Sequence, residues 1–201
     1  MPNTFPIDEA RPAPEGMLDA CRADVPEAVV QLWQEHGLSS FGEGRLQLVD
    51  PRAFRDTLAR WVPIPATRPG RVYTPLLLTG FGELIYVRRL GSADRVPEEN
   101  EPFDIQLLDP HYGRIGFMSW TLEDALAALD PAGEGRTDIF GMSPSFRPAL
   151  FPQALKVHGK LAAGEAFHFA PALALGGAET IENVAKGDAL VHLELLLSLR
   201  T

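Results

Sequence analysis

Val72-Tyr73-Thr74-Pro75-Leu76-Leu77-Leu78-Thr79-Gly80-Phe81-Gly82-Glu83-Leu84-Ile85-Tyr86-Val87-Arg88-Arg89 is the stretch on which the fold turns. Two runs rich in leucine, aromatic and β-branched residues flank Gly80–Glu83, so residues 72–79 and 84–89 are predicted to form a β-hairpin. The pattern repeats downstream. Phe103–Leu108 and Arg114–Ser119 flank Asp109-Pro110-His111-Tyr112-Gly113, a second hairpin. Upstream, Pro63, Pro65, Pro69 and Gly70 mark the strongest internal boundary of the chain.

Before that boundary the period is helical. Pro26 suits a first helical turn, Val29, Val30, Leu32 and Trp33 give an apolar face, and Gly37 stops the helix. Phe41–Gly44 is a turn and Leu46–Val49 a short strand. Asp50 then caps a helix opened by Pro51, with Phe54, Leu58 and Trp61 on one buried face. Both Trp33 and Trp61 are predicted to be core residues. Residues 1–24 are proline-rich and aperiodic, and read as an arm laid on the surface with a short helix around Met17–Arg22. Beyond the hairpins, Thr121 opens a helix carrying Leu122, Leu126 and Leu129. A loop is expected over 131–145, a helix over 148–158, a turn at Ala163-Gly164, a loop over 171–177, a strand near 180–185 and a helix over 189–199. Helices and hairpins are segregated rather than alternating. The fold class is therefore α+β, with an antiparallel or mixed sheet built from hairpins and packed against several helices. The expected organisation is an arm (1–24), a helical module (25–64) and an α+β domain (72–201), packed as one body because the proline-rich connection is short and stiff.

Composition narrows the function. The chain has 201 residues, 45% hydrophobic and 22% charged, enough for one large domain or two small ones that fold without a metal or disulfide. The single cysteine, Cys21, has no partner in the chain, which suits a reducing compartment. No signal-peptide pattern opens the chain and no apolar run reaches the ~20 residues of a membrane span, so a soluble, cytoplasmic protein is expected. With 18 Lys and Arg against 27 Asp and Glu, the formal charge is −9. Such a chain repels nucleic acid and anionic membranes and attracts basic partners.

Searching for chemistry leaves little. The five histidines, His36, His111, His158, His168 and His192, have no metal-ligand spacing. His168, between Phe167 and Phe169, reads as a strand or core residue. Gly141–Ser145 lacks the last glycine of a nucleophile elbow, and Gly80-Phe81-Gly82 and Gly42-Glu43-Gly44 are turn chemistry. Glu98-Glu99, Asp104 and Asp109 are close in sequence, but catalytic carboxylates need unequal burial, and Glu98-Glu99 reads as exposed. No enzyme, metal or cofactor is expected. Phe81 and Tyr112 fall at hairpin tips, where an aromatic marks a contact surface.

These segments resemble a known pair of domains. Val25-Pro26-Glu27 through Leu32-Trp33, then Gly37, Phe41, Gly44, Val49-Asp50-Pro51 and Leu58-Ala59-Arg60-Trp61, are similar to the GAD-like domain, with Asp50 in place of the commoner asparagine. Thr79–Leu84, Leu108–Gly113, Pro171–Gly177 and Glu182-Asn183-Val184 resemble the C-terminal domain that follows it in immunity proteins of type VI secretion DNase toxins. The resemblance implies a cytoplasmic antitoxin that binds a cognate toxin, a basic nuclease, and covers its active site. The expected contact surface is the acidic stretch Asp94, Glu98, Glu99, Glu101, Asp104 and Asp109, opposed only by Arg95, with Tyr112 and Phe81 as aromatic anchors. Two other readings stay open: a regulatory or scaffolding module that binds protein, and a hydrolase acting through Asp109 and His111 or Glu98 and Glu99.

Overall fold

A computed structural model of the chain describes residues 6–129, 147 and 149–200. Seven of its strands form one antiparallel sheet in which spatial order follows chain order. They are β1 (Ile7–Glu9), β2 (Ser40–Phe41), β3 (Leu46–Leu48), β4 (Val72–Thr79), β5 (Leu84–Arg89), β6 (Phe103–Asp109) and β7 (Arg114–Ser119). A separate pair, β8 (Glu165–Phe169) and β9 (Val184–Asp188), is also antiparallel. The helices are α1 (Met17–Cys21), α2 (Glu27–His36), α3 (Pro51–Trp61), α4 (Leu122–Ala128), α5 (Phe151–His158) and α6 (Ala189–Ser198). The class is α+β with an antiparallel sheet.

Strand alternation sorts the apolar residues onto two faces. Leu77, Ile85, Val87, Ile105 and Leu107 meet Val29, Val30 and Trp33 of α2 and Leu122, Ala125 and Leu126 of α4. On the other face Leu78, Leu84, Tyr86 and Leu108 meet Phe54, Leu58 and Trp61 of α3 and Leu193 and Leu196 of α6. Both faces being covered explains why β4 reads as an apolar run rather than an alternation. Pro75 has no N–H for the ladder, and the pairing with β5 slips there, Pro75 facing Tyr86 and Leu77 facing Ile85. That slip is what lets the consecutive Leu76 and Leu77 share one core. A third cluster gathers Phe81, Phe151, Ala154, Phe167, Phe169 and Val184 around the β4–β5 turn.

Trp33 and Trp61 are buried as expected, on opposite faces of the sheet. Asp50 caps α3, its carboxylate accepting the Arg52 N–H at 2.9 Å, and Pro51 stands at the first helical position. The α3 and α6 helices are joined by more than apolar contact. The Trp61 indole N–H donates to the Leu193 carbonyl at 3.3 Å, Glu194 accepts from the Thr57 hydroxyl and pairs with Arg60, and the Arg200 guanidinium lies over the Trp61 ring.

Residues 6–16 lie on the surface, but the segment is tied into the fold. β1 pairs with β2, and Met17 and Cys21 are fully buried in the same cluster as Trp33. Gly37 explains how this segment docks. A side-chain carbon there would lie 2.0 Å from the Arg11 carbonyl oxygen, and its φ is +57°, so only glycine fits. Three further differences are local. The last predicted strand lies at Val184–Asp188, after a short 3-10 turn over Ile181–Asn183. β8 follows the predicted turn at Ala163-Gly164, and α5 begins at Phe151. The loop expected over 131–145, with Gly141–Ser145, lies outside the described residues, as does Pro148.

Candidate functional site

Phe81 was expected at an exposed hairpin tip; it is 1% exposed. The four-residue turn Gly80–Glu83 folds against the third cluster, with Phe81 packed on Phe167 and stacked on Phe169 at ring centroids 5.6 and 5.7 Å apart. A side-chain carbon at Gly80 would lie 2.2 Å from the Phe151 ring, which is why the turn needs glycine at that position. Phe81 is thus a packing residue of the turn.

Beside it sits a buried polar cluster. Glu83, with no exposed surface, accepts from the Thr79 hydroxyl and pairs with the Arg147 guanidinium. Arg147 also binds Glu179 at 2.8 Å, and Glu179 accepts the Tyr112 hydroxyl at 3.1 Å. Burial pushes the Glu83 carboxyl up to about 7 against the pull of Arg147, and raises Asp109 as well. Asp109, expected on the surface, is 3% exposed. Its carboxylate accepts the backbone N–H groups of His111 and Tyr112 at 2.9 and 3.4 Å and so closes the β6–β7 turn.

The His111 ring points elsewhere. Its Nε2–H donates to the Phe81 carbonyl at 2.7 Å, tying one hairpin turn to the other. His111 lies 5.8 Å from His192 of α6, which stacks on His168 of β8 at 4.3 Å. Burial keeps all three imidazoles neutral, His111 down at about 3 and His192 at about 4. Asp109 and His111 therefore meet through the backbone and not as a carboxylate–imidazole pair. Among the described residues no group of three or more His, Cys, Asp or Glu side chains is arranged to hold a metal ion. What the cluster does is structural: one guanidinium balances carboxylates from three segments and locks two turns together.

The acidic stretch divides in two. Asp94 is engaged internally: it accepts from the Arg71 guanidinium at 2.8 Å and from the Gly91 N–H at 2.9 Å, and Arg68 lies beside it. The Arg71 hydrogen bond holds its carboxyl down at about 2. Asp104, fully buried, takes a two-pronged contact from Arg88, its cross-strand neighbour, and a hydrogen bond from Gln106 at 3.0 Å. Glu98, Glu99 and Glu101 are exposed, and none is in an ion pair among the described residues. Sequence adjacency could not separate these two groups, because the arginines that claim Asp94 and Asp104 arrive from β5 and from the segment before β4.

Tyr112 is 48% exposed, with the Arg114 guanidinium 5.0 Å from its ring. It does not stand beside the free glutamates. The loop carrying them enters β6 at Phe103, Tyr112 follows the other end at Asp109, and a seven-residue strand of about 20 Å separates the two. The aromatic residues at the glutamates' own end are ones the sequence did not single out. Ser119 pairs with Ile105, so β7 returns to that end, bringing Phe117 (46% exposed) and the half-buried Trp120, their rings 5.5 Å apart. Trp120 stands between β7 and α4. The signal for a contact surface was the apolar pair Ile115 and Phe117 at strand spacing on the last strand of the sheet.

An α+β protein with helices on both faces of a seven-stranded antiparallel meander is the class that this geometry defines. Residues 3–93, β1 through β5, match the family model of the GAD-like domain, and residues 138–200 match that of the T6SS immunity protein Tdi1, C-terminal. The chain thus carries a GAD-like domain followed by a Tdi1-type C-terminal domain. A comparison with curated proteins gives no match. Among solved structures, the crystal structure of Atu4351 from Agrobacterium tumefaciens shares the fold, with a TM-score of 0.67 and 18% identity over 98% of this chain and 88% of that one. No helix among the described residues is long and apolar enough to cross a membrane.

Proposed function

We propose that this chain is a T6SS immunity protein that acts in the cytoplasm, binding a cognate secreted toxin with nuclease activity and blocking it by covering its active site. The observation that carries this reading is the match of residues 138–200 to the Tdi1 C-terminal domain, behind a GAD-like domain. Electrostatics support the nuclease as target. A nuclease presents a basic groove to the phosphate backbone of its substrate, and a net charge of −9 with three exposed glutamates in one loop, in no ion pair among the described residues, offers that groove a competing anion. The polar side chains that could suggest catalysis, Asp109 and His111, are consumed in closing turns.

Co-expression tests the reading. Cells producing a candidate type VI nuclease toxin are expected to survive when this chain is made with it, and the two proteins to copurify as a salt-sensitive complex. Binding without rescue would make the chain a regulatory module instead, and DNA cleavage unaffected in a purified mixture would remove the active-site-covering mechanism.

A further inference from the structure

We propose that the outer face of β7, formed by Ile115 and Phe117 with Trp120 at its end, is the surface that docks the toxin, and that it receives a basic segment of that protein. This rests on the immunity reading above and adds where the contact is made.

Four observations carry it. First, β7 is hydrogen-bonded to β6 alone among the described residues, so it forms an edge of the sheet. Second, Ile115 pairs with Leu108 and Phe117 with Gln106, which puts both side chains on the face that α3 and α6 cover further in. The cover does not reach them: Ile115 is 44% and Phe117 46% exposed. Other large apolar side chains are exposed elsewhere, Val191 and Leu195 on α6 among them, but Ile115 and Phe117 are left open in alternation on an edge strand, where a neighbour can pair. Third, Phe117 is held against Trp120, giving a preformed aromatic pair of the kind that dominates interface energetics. Fourth, exposed carboxylates outnumber cations at this end of the sheet, Arg95 being the exposed cation of the loop before β6. Glu98, Glu99 and Glu101 lie in the loop that enters β6 at this end, and Glu123 and Asp124 stand exposed in the first turn of α4, directly after Trp120. None of the five is in an ion pair among the described residues.

That excess of carboxylates selects the occupant. Two copies of this chain meeting edge to edge would bring like charges together around the aromatic pair, and nucleic acid or an anionic membrane would be repelled in the same way. A protein surface bearing lysine or arginine gains from that excess and buries its apolar atoms against the aromatic pair. From Ile115 to Ser119 the side of β7 away from β6 pairs with no strand among the described residues and can add main-chain hydrogen bonds to an extended segment.

The probe is the toxin identified by the rescue test, carried as a catalytically inactive variant and titrated against the full chain. Phe117→Ala with Trp120→Ala is expected to weaken binding about thirtyfold or more, mostly through faster dissociation. Glu98→Gln, Glu99→Gln and Glu101→Gln together are expected to slow association and flatten its salt dependence. Val191→Ser with Leu195→Ser, which alters exposed apolar residues of α6 instead, is expected to leave affinity within twofold, and its thermal transition alongside that of the aromatic variant controls for folding. A complex that forms and rescues cells, yet is unchanged by the aromatic variant, overturns this surface while leaving the immunity reading intact. Absence of both rescue and complex overturns the two together. A wild-type dimer in sedimentation that Phe117→Ala dissolves would show that the face belongs to a second copy and would also overturn the proposal.

Discussion

Glu83 shows how a single residue can be misplaced by its neighbours in sequence. Gly80-Phe81-Gly82-Glu83 reads as a hairpin turn, and the turn lies there, but Glu83 is fully buried. Its burial comes from residues 64 and more positions away: Arg147 supplies the counter-charge and β8 the aromatic wall. Local turn chemistry was legible, and the segments that close over the turn were not. Phe81 is covered by the same distant segments, and Asp94 and Asp104 are claimed by arginines 23 and 16 positions away, still beyond the reach of local patterning. Because Glu83 has no exposed surface, removing its partner leaves its carboxyl either ionised without a counter-charge or forced to hold a proton. Arg147→Ala is expected to lose about 3–5 kcal/mol of stability in urea unfolding. Glu83→Gln should lose clearly less, since the amide oxygen still accepts from Thr79 and no buried charge is left on that side chain. Equal losses in the two variants would mean that packing, and not charge pairing, holds the cluster together.

At the scale of elements, legibility follows how local the determinants are. β4, β5 and α3 were readable almost to the residue because a turn, a cap and a proline each act within a few positions. β8 escaped because its ladder partner is β9, beyond an intervening loop, and its Phe167 N–H reaches back to the Gly80 carbonyl, so nothing adjacent announces a strand. α6 carried a different message. Its sequence is apolar on nearly every side, and the structure leaves Val191 and Leu195 in solvent. For α3 the capping argument gives a number. Asp50→Ala removes the acceptor for the Arg52 N–H and is expected to lower stability by about 1 kcal/mol, whereas Asp50→Ser keeps most of it. A loss near zero for alanine in chemical denaturation would mean that Pro51 and the buried face of α3 set its start unaided.

For the whole molecule, pH and chain integrity are the informative variables. His111 and His192 are held neutral, with folded values of about 3 and 4 against an ordinary 6.5. Above pH 6.5 they exert no pull. As pH falls from there to 4 the unfolded chain takes protons that the fold refuses, so stability declines. Glu83 acts with the opposite sign, since its value of about 7 exceeds the ordinary 4.5 and its contribution is lost as pH rises through 7. Comparing wild type with His192→Gln separates the two: the variant's melting temperature is expected to fall less between pH 6.5 and 4, and parallel curves would remove the histidine cluster as the cause. Chain integrity follows from the packing of α3 on α6 and of β3 on β4, with Gln47 opposite Leu78. Residues 1–71 and 72–201 made separately are expected to lack cooperative thermal transitions, and two well-folded halves would contradict this. The late position of α6 has one more consequence. A ribosome delivers Phe54, Trp61, Leu84, Tyr86 and Leu108 long before Leu193 and Leu196, the residues that cover them. For the whole of that interval the nascent sheet holds one apolar side open, and a chain cut short before residue 189 should be a chaperone client and prone to aggregate rather than a smaller working protein.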